Sequence, residues 1–458
     1  MKTILVTAYH GWVFRNLLGS SSLKRVHDVT GAHVVVCVPS DKVSFTSSTY
    51  GAEWLTVVSF DVDAIIATRY NKFWHRLAFL IQNSQYVRDQ RLERCEGRGG
   101  LMARGNYLLV NGLAAFLSRI PAIAHVYRFL DGIFSPRGVV DNLLQAYKPD
   151  LVLVGDLFGE ADVLFLRNAK KHGIRTAGMV RSWDNTTTKG ILRNIPDRII
   201  ANSVTIQREL RVFHRVSEAR VSVVGLPQFD SWISGPTLSR DVFFSQMGIN
   251  PSKRLILFAP AGDVLSDTDW QVCQLLKDAI AHARLPDDIV ILVRNHPQHP
   301  ADFTRFIPDE HFIMENPGTR TLQGNYKGAT LNPSENDHLR NSIFYSEIVM
   351  YVATSIGLDA TVYDKPQIIV SFDGWETRPY VRSVNRYNRE DCLGRMVDSG
   401  GTKVVESFGE LVRALNVYLQ DPSLDHSGRI QAMRDHMHAL DGKASERIAD
   451  AIRKELPL

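Results

Sequence analysis

The chain has 458 residues, of which 44% are hydrophobic and 22% charged, and its formal net charge is only +4. That length exceeds one ordinary core and calls for two domains, and the balance is that of a soluble globular protein. So small a charge gives no reason to expect a nucleic-acid partner. Four cysteines, Cys37, Cys95, Cys273 and Cys392, stand far apart with no CxxC spacing. Neither a disulfide framework nor a zinc site is expected, and a reducing, cytoplasmic setting is.

The first residues, Met1 to Ala8, are broken by Tyr9, His10 and Gly11, too soon for a signal peptide, and read as a first buried strand at 3–8. Further apolar runs predict strands at 33–38, 55–59, 150–154, 175–180, 198–201 and 221–224. Cys37 falls in one of them and is most simply a core residue. Between about 66 and 147 the rhythm becomes helical, with Pro121 and Pro136 as breakers. Leu113, Phe116, Leu117, Ile120, Ile123 and Tyr127 fall near helical spacing. The simpler reading is a helical insertion packed on the sheet. The sharper one is an amphipathic surface for a membrane or a lipid-linked acceptor, with Arg104, Arg119 and Arg128 facing acidic headgroups. The longest uncharged stretch, 105–118, falls short of the roughly 20 residues that a membrane span requires.

Ser234, Gly235 and Pro236 suit a linker. Strands are then predicted at 254–259, 288–293, 311–314, 347–352, 367–371 and 403–405, followed by a helical tail. The expected fold class is therefore α/β, with two Rossmann-like domains facing a cleft. The first covers 1–235 with its helical insertion, the second 236–430, and the tail 431–458.

In an open parallel sheet the loops at the carboxyl ends of the strands build the ligand crevice. In the second half these loops hold Ala261 and Gly262, then Arg294, Asn295, His296 and Pro297, then Thr354, Ser355 and Asp359. His296 lies between a strand and a proline that biases the turn away from helix, where it can donate to a phosphate or simply bond a loop carbonyl. Thr354 and Ser355 precede a predicted helix, so they serve as an anion site, a plain N-cap, or both. Asp359, one turn deeper, can hold ribose hydroxyls or only favour the helix dipole. In the first half His10, Asp156, Glu160 and Asp184 lie in loops of the same kind and are candidates for a general base; no spacing rule chooses among them. GxxxxGK[ST], GxGxxG and GxSxG are all missing. His296 and His299 lack further ligands for a metal, and no metal is expected.

The second half resembles the nucleotide-binding domain of GT-B glycosyltransferases, and more narrowly the superfamily of teichoic-acid glycerophosphotransferases and capsule-type transferases. The matching pieces run from Val224-Gly225-Leu226-Pro227-Gln228-Phe229-Asp230 through Phe258-Ala259-Pro260, His296-Pro297, Thr354-Ser355 with Asp359, and Lys365-Pro366. Ser399-Gly400-Gly401-Thr402-Lys403-Val404 and Tyr418-Leu419-Gln420-Asp421-Pro422 complete them. The resemblance implies that His296, Thr354 and Ser355 contact donor phosphates, with Arg294 nearby, and that Asp359 lies near the donor ribose. It also implies a nucleotide-activated sugar, with a tilt toward cytidine, as the donor and a glycan or lipid-linked hydroxyl as the acceptor. No cofactor or metal is implied, and the setting is the cytoplasmic side, with contact to the inner membrane face. A UDP-sugar epimerase, a glycerophosphotransferase and a non-catalytic nucleotide-sugar or polysaccharide binder are the alternatives.

Overall fold

A computed structural model describes residues 1–318 and 332–457. The chain divides into two compact units, the first built from residues 1–231 and 435–457, the second from residues 232–318 and 332–434.

The first unit is a seven-stranded sheet of β1 (Thr3–Thr7), β2 (His33–Val38), β3 (Leu55–Ser59), β4 (Leu151–Val154), β5 (Arg175–Met179), β6 (Arg198–Ala201) and β7 (Val221–Val223), in the order β3-β2-β1-β4-β5-β6-β7. The strands pair in parallel throughout, with Leu5 opposite Val35 and Val6 opposite Leu153. The central strands β2 and β4 are runs of Val and Leu because helices cover both faces, so almost none of their side chains meets water. The second unit repeats the design with β8 (Arg254–Ala259), β9 (Ile289–Arg294), β10 (Phe312–Glu315), β11 (Ser346–Tyr351), β12 (Gln367–Val370) and β13 (Lys403–Val405), in the order β10-β9-β8-β11-β12-β13. Each falls within a residue or so of the run predicted for it. In each sheet the order reverses once, between β1 and β4 and between β8 and β11, and that reversal opens a crevice at the carboxyl ends.

The insertion between β3 and β4 is helical, as predicted. Pro121 starts a helix, Pro121–Ile133, at a position where its missing N–H costs nothing. Trp74, Ala78, Ile81, Ala124 and Tyr127 of the insertion form a small core with Ile191 of the loop between β5 and β6. A buried charge network ties it to the sheet. Asp131, fully buried, accepts from Arg193 Nε at 2.9 Å and from Arg167 Nη1 at 3.0 Å.

The expected tail does not stand apart. Helix Ala444–Arg453 sends Ile448 and Ile452 into the core that holds Ile4, Val6 and Val26. Asp230 accepts from Ala444 N at 3.0 Å and Ser445 N at 2.7 Å, and so caps that helix. Gly225, at φ +93°, lets the chain approach the Met437 carbonyl, which a Cβ would meet at 3.2 Å.

Replacing Asp131 by Ala leaves two buried guanidinium groups without their carboxylate. The expected cost is about 3–5 kcal/mol of stability, read from urea unfolding against the parent protein.

Candidate functional site

In the second unit the loops after β8 and β9 lock against each other. Asp269, in the first turn of helix Asp269–Ala281, accepts from Ala261 N and Gly262 N, each at 3.0 Å. Burial pushes its carboxyl up to about 7 against the pull of those two N–H groups. Gly262 sits at φ +84°, and a Cβ there would lie 2.1 Å from the His299 carbonyl oxygen. The N–H groups of Ala261 and Gly262, expected at the donor site, are thus committed to Asp269, and Gly262 admits the neighbouring loop.

That loop, 296–300, is clasped at its base. Asn295 Oδ1 accepts from Ala301 N at 3.1 Å, while its Nδ2 donates to Asn316 Oδ1 at 2.7 Å. Within it His296 Nδ1 accepts from the backbone N–H groups of Gln298 and His299, both at 3.2 Å. This leaves Nε2 as the protonated nitrogen of the neutral ring. Desolvation, then the neighbouring His299, push the His296 pKa down to about 4, although the ring keeps an exposed edge. The result is a neutral N–H donor on the surface, and it borders a cavity of about 650 Å³ that Asn295, Pro297, Phe303, Phe306, Met314 and Asn316 help to line. That size is ordinary for a small-molecule site.

Across β8, at the end of β11, Thr354 and Ser355 are half-buried, and Ser355 makes no side-chain cap bond to the short helix Ile356–Thr361. Two strand spacings, roughly 10 Å, separate the ends of β9 and β11. Asp359 is buried, so the structure does not bring it to the surface beside those hydroxyls. Arg294 is also corrected. It ends β9 in register with Glu315 of β10, donates to that carboxylate at 2.7 Å, and is buried there. Burial alone would raise the Glu315 pKa; the bond from His338 and the charge of Arg294 outweigh it and hold the pKa low.

In the first unit the candidates separate by partner. Asp156 pairs with Arg181 at 2.8 Å. Glu160 lies 3.4 Å from His75 of the insertion, and burial raises its pKa. His10 Nδ1 accepts from Trp12 N at 3.2 Å and caps the short helix Gly11–Val13. Asp184 accepts from Thr188 Oγ1 at 3.0 Å. Burial opposes its charge, but Lys189, then the Ser182 hydroxyl and Arg181, overcome this and lower its pKa. Asp156, Arg181 and Asp184 thus gather at the carboxyl ends of β4 and β5, whereas Glu160 is turned toward the insertion.

With this geometry in view, the chain's relatives can be placed. The family described as CDP-Glycerol:Poly(glycerophosphate) glycerophosphotransferase matches residues 181–454. The chain belongs to this family. It is a transferase of a family that draws on a nucleotide-activated donor. No curated protein sequence matches it. Among solved structures it is similar to a candidate UDP-N-acetylglucosamine 2-epimerase from Listeria monocytogenes, with a TM-score of 0.58 and 12% identity over 99% of this chain and 96% of that one. It is also similar to the UDP-GlcNAc 2-epimerase of Neisseria meningitidis, solved with UDP-GlcNAc, with a TM-score of 0.55 and 12% identity over 99% and 100% of the two chains. A third is the glycotransferase of kitacinnamycin, with a TM-score of 0.50 and 14% identity over 99% of each chain. At such identities the likeness is one of fold, and the fold is GT-B.

Some groups at the transferase's strand ends escape a reading of the sequence. Asp162 is buried in the first turn of helix Glu160–Lys171 and bonds the Thr7 hydroxyl at the end of β1. Burial, then the nearby Asp156, push it up to about 8. Asn185, Asn202 and Gln228 follow β5, β6 and β7, are buried, and have neither amide atom hydrogen-bonded. Buried polar groups of that kind call for a partner. Trp270 and Trp375 meet edge to face at 5.1 Å, with Trp375 exposed. Among the described residues no group of three or more His, Cys, Asp or Glu could hold a metal ion.

The raised carboxyls set a pH dependence. Asp162 and Asp269 hold protons in the folded state that the unfolded chain releases near pH 4, so their contribution is full below that and lost as pH rises through about 7 to 8. His296 and the buried His214, at about 3, act in the opposite sense, and their contribution is full only above about 6.5. Nearer pH 8 Lys365, whose pKa burial lowers to about 8, begins to act in the histidines' sense. Asp162→Asn should flatten the fall in stability between pH 6.5 and 8 by up to about 1.4 kcal/mol per pH unit, checked by urea unfolding at several pH values.

Proposed function

We propose that the transferase moves a sugar from a cytidine-nucleotide donor to an acceptor hydroxyl, by displacement at the anomeric carbon, with no bound metal. The observation that carries this reading is the neutral Nε2–H of His296 on the border of the cavity, at the end of β9 in the same sheet whose β11 leads to Thr354 and Ser355. The nucleoside occupies the cavity. His296 and the hydroxyls of Thr354 and Ser355 hold the phosphates, and the His296 N–H donates to the oxygen on which charge develops as the bond breaks. Asp184 takes the acceptor proton: it is ionised, half-exposed, and bonded to hydroxyls rather than to a guanidinium. The unpartnered amides of Asn185, Asn202 and Gln228 suit an acceptor rich in hydroxyls. Four free, buried cysteines suit a reducing compartment, and we place the reaction on the cytoplasmic side.

The family's description favours a second reading, transfer of glycerol phosphate from CDP-glycerol. That reaction attacks phosphorus and asks more of nearby cations. Arg294 and Arg378, at the ends of β9 and beyond β12, are already paired, with Glu315 and with Asp267 and Glu376. The geometry therefore supports attack at carbon.

Incubation with CDP-glycerol, or with CMP-, CDP- or UDP-sugars, each with and without a polyol acceptor and with EDTA, separates these readings by product. The expected result is sugar transfer from a cytidine donor, only with acceptor, undiminished by EDTA. Glycerol phosphate on the acceptor, with CMP released, would select the second reading, and an altered sugar from donor alone would select epimerisation. In the same assay His296→Ala should lose roughly a hundredfold in kcat with an unchanged melting profile. Full activity in that variant would remove His296 from the donor site.

A further inference from the structure

At the amino ends of β5, β6 and β7 the first unit holds an open cavity of about 620 Å³. Lys170, Arg175, Arg215 and Arg220 line it with His125, and Asp197 is the one carboxylate among the lining residues. Separate segments deliver these cations. Lys170 stands in the last turn of helix Glu160–Lys171, Arg175 opens β5, and Arg220 directly precedes β7. Arg215 follows helix Val204–His214 in the left-handed region, at φ 55°. The five residues of β5 put the cavity roughly 15 Å from Arg181 and Asp184, at the other end of the strand.

The charges around the cavity do not balance. Asp197 accepts from Thr176 N at 2.9 Å and from Thr176 Oγ1 at 2.8 Å, and Arg175 lies 3.7 Å away. Arg175 pairs more closely with Glu455, which also takes Arg198 at 2.8 Å. Among the described residues the other three cations make no ion pair. Lys170 Nζ donates to Asn194 Oδ1 at 3.2 Å and to the Ile195 carbonyl. Arg215 Nη2 donates to the Ser118 carbonyl at 3.0 Å, and Arg220 Nη1 to the Pro196 carbonyl at 3.2 Å. Neutral partners of this kind fix where a cation stands and leave its charge uncompensated. The charges of Arg220 and Arg167 act on Lys170 against that of Asp197. The rim is also held. Arg128, expected from the sequence to face headgroups, instead turns inward and donates to the carbonyls of Leu192, at 2.8 Å, and His214, the neighbour of Arg215. That contact ties helix Pro121–Ile133, and with it His125, to the cavity wall.

We propose that this basic cavity binds a phosphate-bearing anion other than the reacting donor, either a free diphosphate or successive phosphates along a glycan. Guanidinium groups present forks of N–H donors that match phosphate oxygens, and a concave wall of one sign concentrates the field on such a ligand. A single carboxylate would leave most of the charge unmatched, whereas two or more phosphates meet several cations at once. The volume exceeds what one phosphate fills. With the crevice at the far end of β5, a ligand held here is anchored rather than turned over.

The test is calorimetric titration of the full chain, parent and His296→Ala, with inorganic diphosphate and with long-chain inorganic polyphosphate. Hydrogen exchange locates the contact. The expected result is binding that weakens as salt is raised, is retained in His296→Ala, and slows exchange at the amides of 173–176 and 217–220. Lys170→Gln with Arg220→Gln should weaken it by at least roughly tenfold and leave urea unfolding unchanged, since both side chains are exposed. Should that pair fail to fold, Arg220→Gln alone should still weaken binding severalfold. Tighter binding of the long chain would assign the cavity to phosphates along a polymer, and equal binding to a discrete diphosphate. No binding of either probe by the parent, no protection at those amides, or undiminished affinity in the double variant would overturn the proposal. So would loss of all binding in His296→Ala, which would assign the anion to the donor site alone.

Discussion

A parallel strand buried on both faces can offer a ligand nothing but its end. Its side chains alternate between two layers of helices, and its backbone is paired on both sides except at the sheet edges. All chemistry in either unit is therefore confined to the loops that leave the strands, and it concentrates where the strand order reverses. The same geometry makes those loops expensive to arrange, because they must turn the chain within a few residues while helix starts crowd around them. In both units a buried carboxyl in the first turn of the next helix meets this need. Asp162 bonds the end of β1, and Asp269 bonds the loop after β8.

Much of this was legible in the sequence, because buried strands advertise themselves as Val, Ile and Leu runs whatever their partners. His296 was legible for a related reason: a strand, a histidine and a proline in succession fix where the ring must be. The fate of Arg294 was not. Its partner Glu315 arrives from another strand, and only the pairing of β9 with β10 brings the two into register. Ala261 and Gly262 likewise carry N–H groups that look available until Asp269 is placed above them. Asp359 has helical spacing that suits the ribose, but spacing fixes only which face it shares with Ser355, not whether that face is open. Asn185, Asn202 and Gln228 are ordinary polar residues in sequence, and become unusual only when burial removes their water.

The stretch Val224 to Asp230 shows how a family signature can carry structure as well as chemistry. Gly225 gives way to the Met437 carbonyl, and Asp230 caps the last helix. The end of the chain, read as a separate tail, is thereby the element that the signature holds. Glu455 reinforces it through Arg175 and, at 2.8 Å, Arg198, next to β5 and β6. Loss of that helix would uncover Ile4 and Val6 of β1 on the face it covers, and so disturb the strand that leads to His10.

The charge state of the second unit's loops is the feature that most narrows the chemistry. A diphosphate brings negative charge, yet the arginines at these strand ends are held by carboxylates, and the histidine is kept neutral by its surroundings. On the proposed reading, such a site would bind phosphate by directed N–H and O–H groups rather than by net positive charge. Donors of that kind favour the oxygen that gains charge as a bond breaks, and they do not bind the intact, fully hydrated diphosphate so tightly that the barrier grows. On the proposed reading, a neutral donor set would discriminate between the ground state and the departing nucleotide where a cluster of free cations would hold both.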